Sequence, residues 1–173
     1  TRKIENININ KKNLLNFLLN IDKKIQNTIT IKSYDFNDLN YVTKAIKSNI
    51  KNIKIKKFKK LKGRGFEEAR NKKLIIETFN STGFLELLSL NSPVILITTK
   101  ELFNIKKEYE IYYKKLIDHK IIFFDPFEAA DHVSSNLFDI EKWWFEKKRQ
   151  KAIQFFCKNM CKYENNNINK LAE

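Results

Sequence analysis

The side chains best placed to do chemistry lie between Leu74 and Val94. An apolar run, Leu74-Ile75-Ile76, ends near Glu77. A small polar turn follows, Asn80-Ser81-Thr82-Gly83, and then a helix pattern to about Leu90, before Pro93 begins the next apolar run. The first N–H groups of a helix have no intrahelical acceptor, and the helix dipole is positive there, so such a turn can take a phosphate. Ser81 and Thr82 add hydroxyl donors. Gly83 lets a ligand approach the backbone closely. Glu86 is three residues beyond Gly83, on the same helical face, and its carboxylate can accept from two ribose or sugar hydroxyls. The blander reading makes Ser81 or Thr82 an N-cap and Glu86 a partner for the helix dipole.

These residues need a scaffold that presents strand ends and helix starts together. Leu74–Ile76 and Val94–Ile97 are continuous rather than alternating, the pattern of buried strands in a parallel sheet. Ile29–Ile31 and Ile121–Phe124 read as further strands. Ile53–Phe58 alternates Ile with Lys, as a half-exposed edge strand does. Helical spacing joins Leu14, Leu15, Leu18, Leu19 and Ile25, and then Leu39, Val42, Ile46 and Ile50. It also joins Phe84, Leu87, Leu88 and Leu90, and Tyr109, Tyr112, Tyr113 and Leu116. Asp125-Pro126 opens a helix carrying Ala129, Ala130 and Val133. Ile140 to Tyr163 reads as one long amphipathic helix, with Trp143, Trp144, Ile153, Phe156 and Met160 as core. The alternation predicts an α/β fold, a Rossmann-like, mostly parallel sheet with helices on both faces. A single domain over residues 1–163 is expected, with 164–173 as a frayed tail.

Charge is uneven. Residues 1–73 hold 20 Lys/Arg against six Asp/Glu, whereas residues 74–173 hold 14 of each. The densest basic stretch, 44–62, suits an anionic membrane surface or a phosphorylated ligand. Nucleic acid is not the expected partner: only four of the 34 basic residues are Arg, and no nucleic-acid motif accompanies the charge. Lys62-Gly63-Arg64-Gly65 reads as a flexible basic loop. Cys157 and Cys161 are four apart, the wrong spacing for a CxxC pair, and read as plain thiols in a reducing compartment. His119 and His132 lack a third ligand at metal spacing, so no metal is expected. The start of the chain has no signal-peptide pattern, and no apolar run is long enough to span a bilayer. A cytoplasmic protein is expected, peripheral to the inner membrane face through its basic stretch.

Glu86-Leu-Leu-Ser-Leu-Asn-Ser-Pro-Val94 resembles the Glu-Ala-Met-Ala-x-Gly-x-Pro-Val signature of the C-terminal, donor-binding domain of GT-B glycosyltransferases. Asn91 stands at the usual Gly, and Asn also tolerates the left-handed conformation. The chain is also similar to a family of transferases from bacterial O-antigen and surface-polysaccharide loci. That likeness is carried by Phe79 to Glu86, Asn91 to Pro93, Asp125 to Ala130, Asp139 to Trp144, and Phe156-Cys157. The clear match spans about 72–163.

The resemblance implies a GT-B half in which Asn80, Ser81, Thr82 and Gly83 hold the donor's phosphates and Glu86 its ribose or sugar hydroxyls. The implied substrate is a nucleotide sugar, the acceptor a growing or lipid-linked glycan, and no cofactor or metal is called for. Such enzymes have two Rossmann-like domains, and this chain has room for one. The catalytic base of inverting members sits on the other domain, so a missing N-terminal domain or a partner subunit is implied. The competing expectation is a catalytically inactive Rossmann-like module that docks a partner or an anionic surface. A receiver-like signalling domain ranks below both, since the strand ends offer only Glu77 and Asp125 as acids.

Overall fold

The computed structural model describes residues 2–33, 40–50, 53–57 and 72–161. Helix α1 (Arg2–Asn20) leads into a short turn of helix, α2 (Lys23–Gln26). Strand β1 (Thr30–Ser33), helix α3 (Asn40–Asn49) and strand β2 (Lys54–Lys57) follow. After the basic region come β3 (Ile75–Glu77), α4 (Thr82–Ser89) and β4 (Val94–Ile97). Next are α5 (Glu110–Asp118), entered through a 3-10 turn, β5 (Ile122–Phe123) and α6 (Pro126–Asn136). The chain closes with α7 (Ile140–Trp144) and α8 (Lys147–Met160). The Lys62–Gly65 loop and the expected tail 164–173 lie outside the described residues.

Among the described residues every strand pairing is parallel, and within each ladder consecutive strands are joined through a helix. The strands form two ladders, β1-β2 and β3-β4-β5. Ile31 pairs with Ile55 in the first, and Ile76 with Ile95 and Leu96 with Ile122 in the second. All four residues of β4 are buried. Side chains alternate across a strand, so complete burial means both faces of β4 are covered. The helices pack in two groups, α4 and α5 against α8, and α3 and α6 against α1. The α/β class with parallel strands is therefore as the sequence indicates, with element ends shifted by a residue or two, but the described strands form two sheets rather than the expected single one.

Other expectations change. Leu19 and Leu90, expected on apolar stripes, are 44% and 47% exposed, whereas Phe17 and Leu18 are buried. Ile25 is buried too, but from α2 rather than α1: the first helix stops at Asn20, and Asp22 opens the second by accepting from Lys24 N at 2.7 Å. Asp22 N also donates to Ser134 Oγ at 3.0 Å, which ties this turn to α6.

The expected long C-terminal helix is broken at Phe145-Glu146. Glu146 is extended (φ −56°, ψ 129°) and caps α8 by accepting from Lys148 N. The break persists because α8 satisfies the carbonyls it leaves open. The Arg149 guanidinium donates to Trp143 O, and Gln150 Nε2 donates to Trp144 O at 2.9 Å. The fold back brings α8 antiparallel against α4. Gln150, early in α8, bonds Asn91 just past the end of α4. Cys161, past the end of α8, reaches the Leu85 carbonyl in the first half of α4.

Candidate functional site

The polar turn sits where the sequence places it, between the carboxyl end of β3 and the start of α4. In a parallel sheet this is the edge at which ligands bind. Phe84, Leu87 and Leu88 bury the inner face of α4, which turns Gly83 and Glu86 away from it.

Ser81 is the N-cap. Its Oγ accepts from Phe84 N at 3.3 Å, and its carbonyl accepts the first helical bond, from Leu85 N. The capping reading is therefore correct for Ser81, and its hydroxyl proton stays available for donation. Thr82 is exposed. Among the described residues nothing accepts from the backbone N–H of Thr82 or Gly83. A Cβ built on Gly83 meets only Ser81 Oγ, at 3.4 Å, with nothing else within 4 Å. There is room for a methyl at Gly83. Gly83 does not adopt a positive φ, so access, not backbone conformation, is what a side chain there would alter.

Asn80 is only partly available. Its Nδ2 donates to the Tyr113 hydroxyl of α5 at 3.3 Å, leaving a second N–H and the carbonyl oxygen. Tyr113 is buried, which raises its pKa and keeps the hydroxyl protonated. Its ring packs edge-on against Phe103 (5.2 Å) and Phe156 (4.9 Å), and Phe103 meets Phe124 in the same way at 5.3 Å. Aromatic side chains thus join the polar turn to the segments that follow β4 and β5. The sequence gives no sign of the Asn80–Tyr113 contact, because the two residues are 33 apart and on different elements.

Two carboxyls frame the turn. Glu86 is half-buried, and desolvation raises its pKa. Glu77, at the end of β3, is also half-buried and raised by desolvation. The sequence marks Glu77 only as a strand end. Among the described residues no side-chain hydrogen bond or ion pair ties either carboxylate, and no Lys or Arg is bonded to the turn. Anion binding here would rest on N–H groups, a hydroxyl and the helix dipole.

The other motif residues hold the scaffold. Asn91 has φ 51°, at the left-handed position that ends α4. Asn91 N donates to Leu88 O and Ser92 N to Leu87 O, both at 2.9 Å, which is the paired closure of a Schellman cap. The Asn91 and Gln150 amides bond each other reciprocally, and Trp144 Nε1 donates to both Asn91 oxygens at 3.0 Å. Pro93 O accepts from Ile75 N and sets the start of the β3–β4 ladder. The Asn-x-Pro and Trp-Trp motifs are thus parts of one contact. Asp125 caps α6 through Phe127 N at 2.8 Å, with Pro126 in the first turn. His132 packs against Phe123 and Trp143, and burial with the nearby Arg149 charge lowers its pKa to about 4. It belongs to the core, away from the turn. Among the described residues no three His, Cys, Asp or Glu come together to hold a metal, and no helix is long and apolar enough to cross a membrane.

Fold and site define an α/β chain with parallel strands, whose polar turn opens a helix at the carboxyl edge of β3. The chain belongs to the LIC12162 family transferases, whose family model matches residues 8–173. The match therefore extends through the basic half as well as the segment 72–163. No curated protein and no solved structure matches the chain.

Proposed function

We propose that this chain is the donor-binding, GT-B-type domain of a glycosyltransferase that builds bacterial surface polysaccharide. A nucleotide-activated sugar binds at the start of α4. The Thr82 and Gly83 N–H groups and the Ser81 hydroxyl donate to its phosphates, with the free Asn80 N–H beside them, and Glu86 accepts from ribose or sugar hydroxyls. When the sugar leaves for the acceptor, negative charge grows on the leaving phosphate. Fixed N–H donors and the dipole of α4 stabilise that charge without a metal. The acceptor is a glycan or lipid-linked glycan, and a second domain or partner subunit supplies the catalytic base. The basic stretch 44–62 holds the protein at the anionic inner membrane face.

The observation that carries this reading is the pair of backbone donors at Thr82 and Gly83, without an acceptor among the described residues, in a chain of a transferase family. The deciding experiment is calorimetric or NMR titration with CMP, CDP, UDP, GDP and dTDP, repeated with Ser81→Ala and Glu86→Ala. Saturable binding of one nucleotide, weakened by both substitutions, supports the reading and identifies the base. If folded protein binds none of them at millimolar concentration, the inactive-module reading takes its place.

A further inference from the structure

The β1–β2 ladder has two unlike faces. Side chains alternate along a strand, and the register pairs Thr30 with Lys54, Ile31 with Ile55 and Lys32 with Lys56. Ile31 is buried and Ile55 half-buried, and both belong with the hydrophobic core. Thr30, Lys32, Lys54 and Lys56 therefore share the other face, where all three lysines are exposed. Paired strands lie about 4.8 Å apart and successive same-face residues about 7 Å, so three cationic chains rise from one small patch. Lys72, just before β3, stands close enough to act on Lys32 as Lys56 does.

The arrangement costs the fold something. Like charges directly opposite one another destabilise a ladder, and β2 lies in a stretch, Asn40 to Phe66, without Asp or Glu. An anionic surface against the patch would offset that cost. The chemistry of the face selects among anionic partners. Proteins that bind single-stranded nucleic acid stack its bases on aromatic side chains, and bidentate phosphate recognition favours Arg. This face carries Thr and Lys only. Lysine is a point charge on a flexible stem. It suits a surface of many phosphates without fixed geometry, as anionic lipid headgroups provide.

We propose that Lys32, Lys54 and Lys56 make the outer face of the β1–β2 ladder a docking surface for an anionic lipid bilayer. Contact is electrostatic and peripheral, with Ile31 and Ile55 kept in the core. It rests on the membrane attachment proposed above, assigns that attachment to one face, and brings in Lys32 from outside the 44–62 stretch. It does not depend on how the donor turn is used.

The test is co-sedimentation of the full chain with vesicles of phosphatidylcholine alone, or of equal parts phosphatidylcholine and phosphatidylglycerol. Binding is expected only with phosphatidylglycerol, and it should weaken as salt is added. Replacing Lys32, Lys54 and Lys56 together by Gln should weaken it about 100-fold, at roughly fivefold per lysine. A control triple, Lys142→Gln, Lys147→Gln and Lys151→Gln, removes the same charge from exposed positions on α7 and α8 and should bind as wild type does. If circular dichroism shows the first triple unfolded, Lys56→Glu, which can pair with Lys32 across the strands, should fold and still bind more weakly. Equal losses in the two triples would overturn the proposal in favour of net charge alone. Wild-type binding by the first triple would overturn it too, and attachment through another part of the basic half would stand. If the wild-type chain ignores anionic vesicles, the attachment itself falls. A single-stranded oligonucleotide whose binding the first triple abolishes, while vesicle binding persists, would make the face a nucleic-acid surface instead.

Discussion

The two ends of α4 are built in opposite ways. At its start, among the described residues, two backbone donors have no acceptor and two desolvated carboxyls have no ion-pair partner. At its finish, Asn91, Trp144 and Gln150 share donors and acceptors within a single contact. Buried polar groups are normally satisfied, because leaving one unpaired costs about 1–3 kcal/mol. The closed end therefore reads as scaffold, whereas the open end keeps N–H groups that solvent can satisfy and the proposed ligand would use. A helix fixed at one end and open at the other can present its donors without reorganising.

Removing Trp144 tests the closed end most severely. The ring is completely buried, and its indole N–H serves both oxygens of Asn91. Trp144→Ala is expected to cost about 3–5 kcal/mol by urea unfolding, and to weaken nucleotide binding only by depleting folded protein. If binding by the remaining folded fraction fell as well, the two ends would not be independent.

His132 gives the next largest effect. Its folded pKa, about 4, lies below the ordinary value of 6.5, so the unfolded chain binds the proton first. The stability it contributes is complete above pH 6.5 and is lost as pH falls toward 4, by up to about 3 kcal/mol. Unfolding midpoints from pH 7 to 4 should show this loss, and His132→Phe should flatten it. Glu77 and Glu86 act in the opposite sense. Their raised carboxyls bind protons more readily when folded, so they favour the fold at low pH and that contribution is lost as pH rises through their folded pKa values.

Asn91→Gly retains the left-handed backbone and deletes the amide contacts. It is expected to cost about 1–2 kcal/mol, and Asn91→Ala roughly 1 kcal/mol more through backbone strain. Equal losses in the two variants would show that the amide contacts, not the conformation, select Asn here. Gly83→Ala is the smallest change for the fold, a gain of at most about 1 kcal/mol, because Ala favours helix and the space is open. The same methyl stands against Ser81 Oγ in the turn and should reduce nucleotide binding. A stabilised variant with unchanged binding would remove Gly83 from the site.

Much of this was legible in the sequence because the rules involved are local. Continuous apolar runs gave β3, β4 and β5. Ser81 and Asp125 announced themselves as caps, and Asn91 as a left-handed residue. What stayed hidden depends on partners distant in the chain. The break at Phe145-Glu146 is stabilised by Arg149 and Gln150 reaching back to α7, whereas the hydrophobic period runs straight through it. The use of one Asn80 donor by Tyr113, and the desolvation of Glu77, likewise depend on how α5 and the strands pack. The proposed site residues follow from local turn chemistry joined to a resemblance, and the titration above is what tests their roles.

The antiparallel seating of α8 along α4 also bears on motion. Contacts at Asn91–Gln150 and Leu85–Cys161 fix both halves of the shorter helix to the longer one. Fraying from either tip of α4 is suppressed, so its hydrogen-bonded amides, unlike the unbonded ones of Thr82 and Gly83, should exchange with deuterium only when α8 lifts away. The two helices then form one cooperative opening unit, and the open donors at the start of α4 are carried on one of the slowest-exchanging segments of the chain.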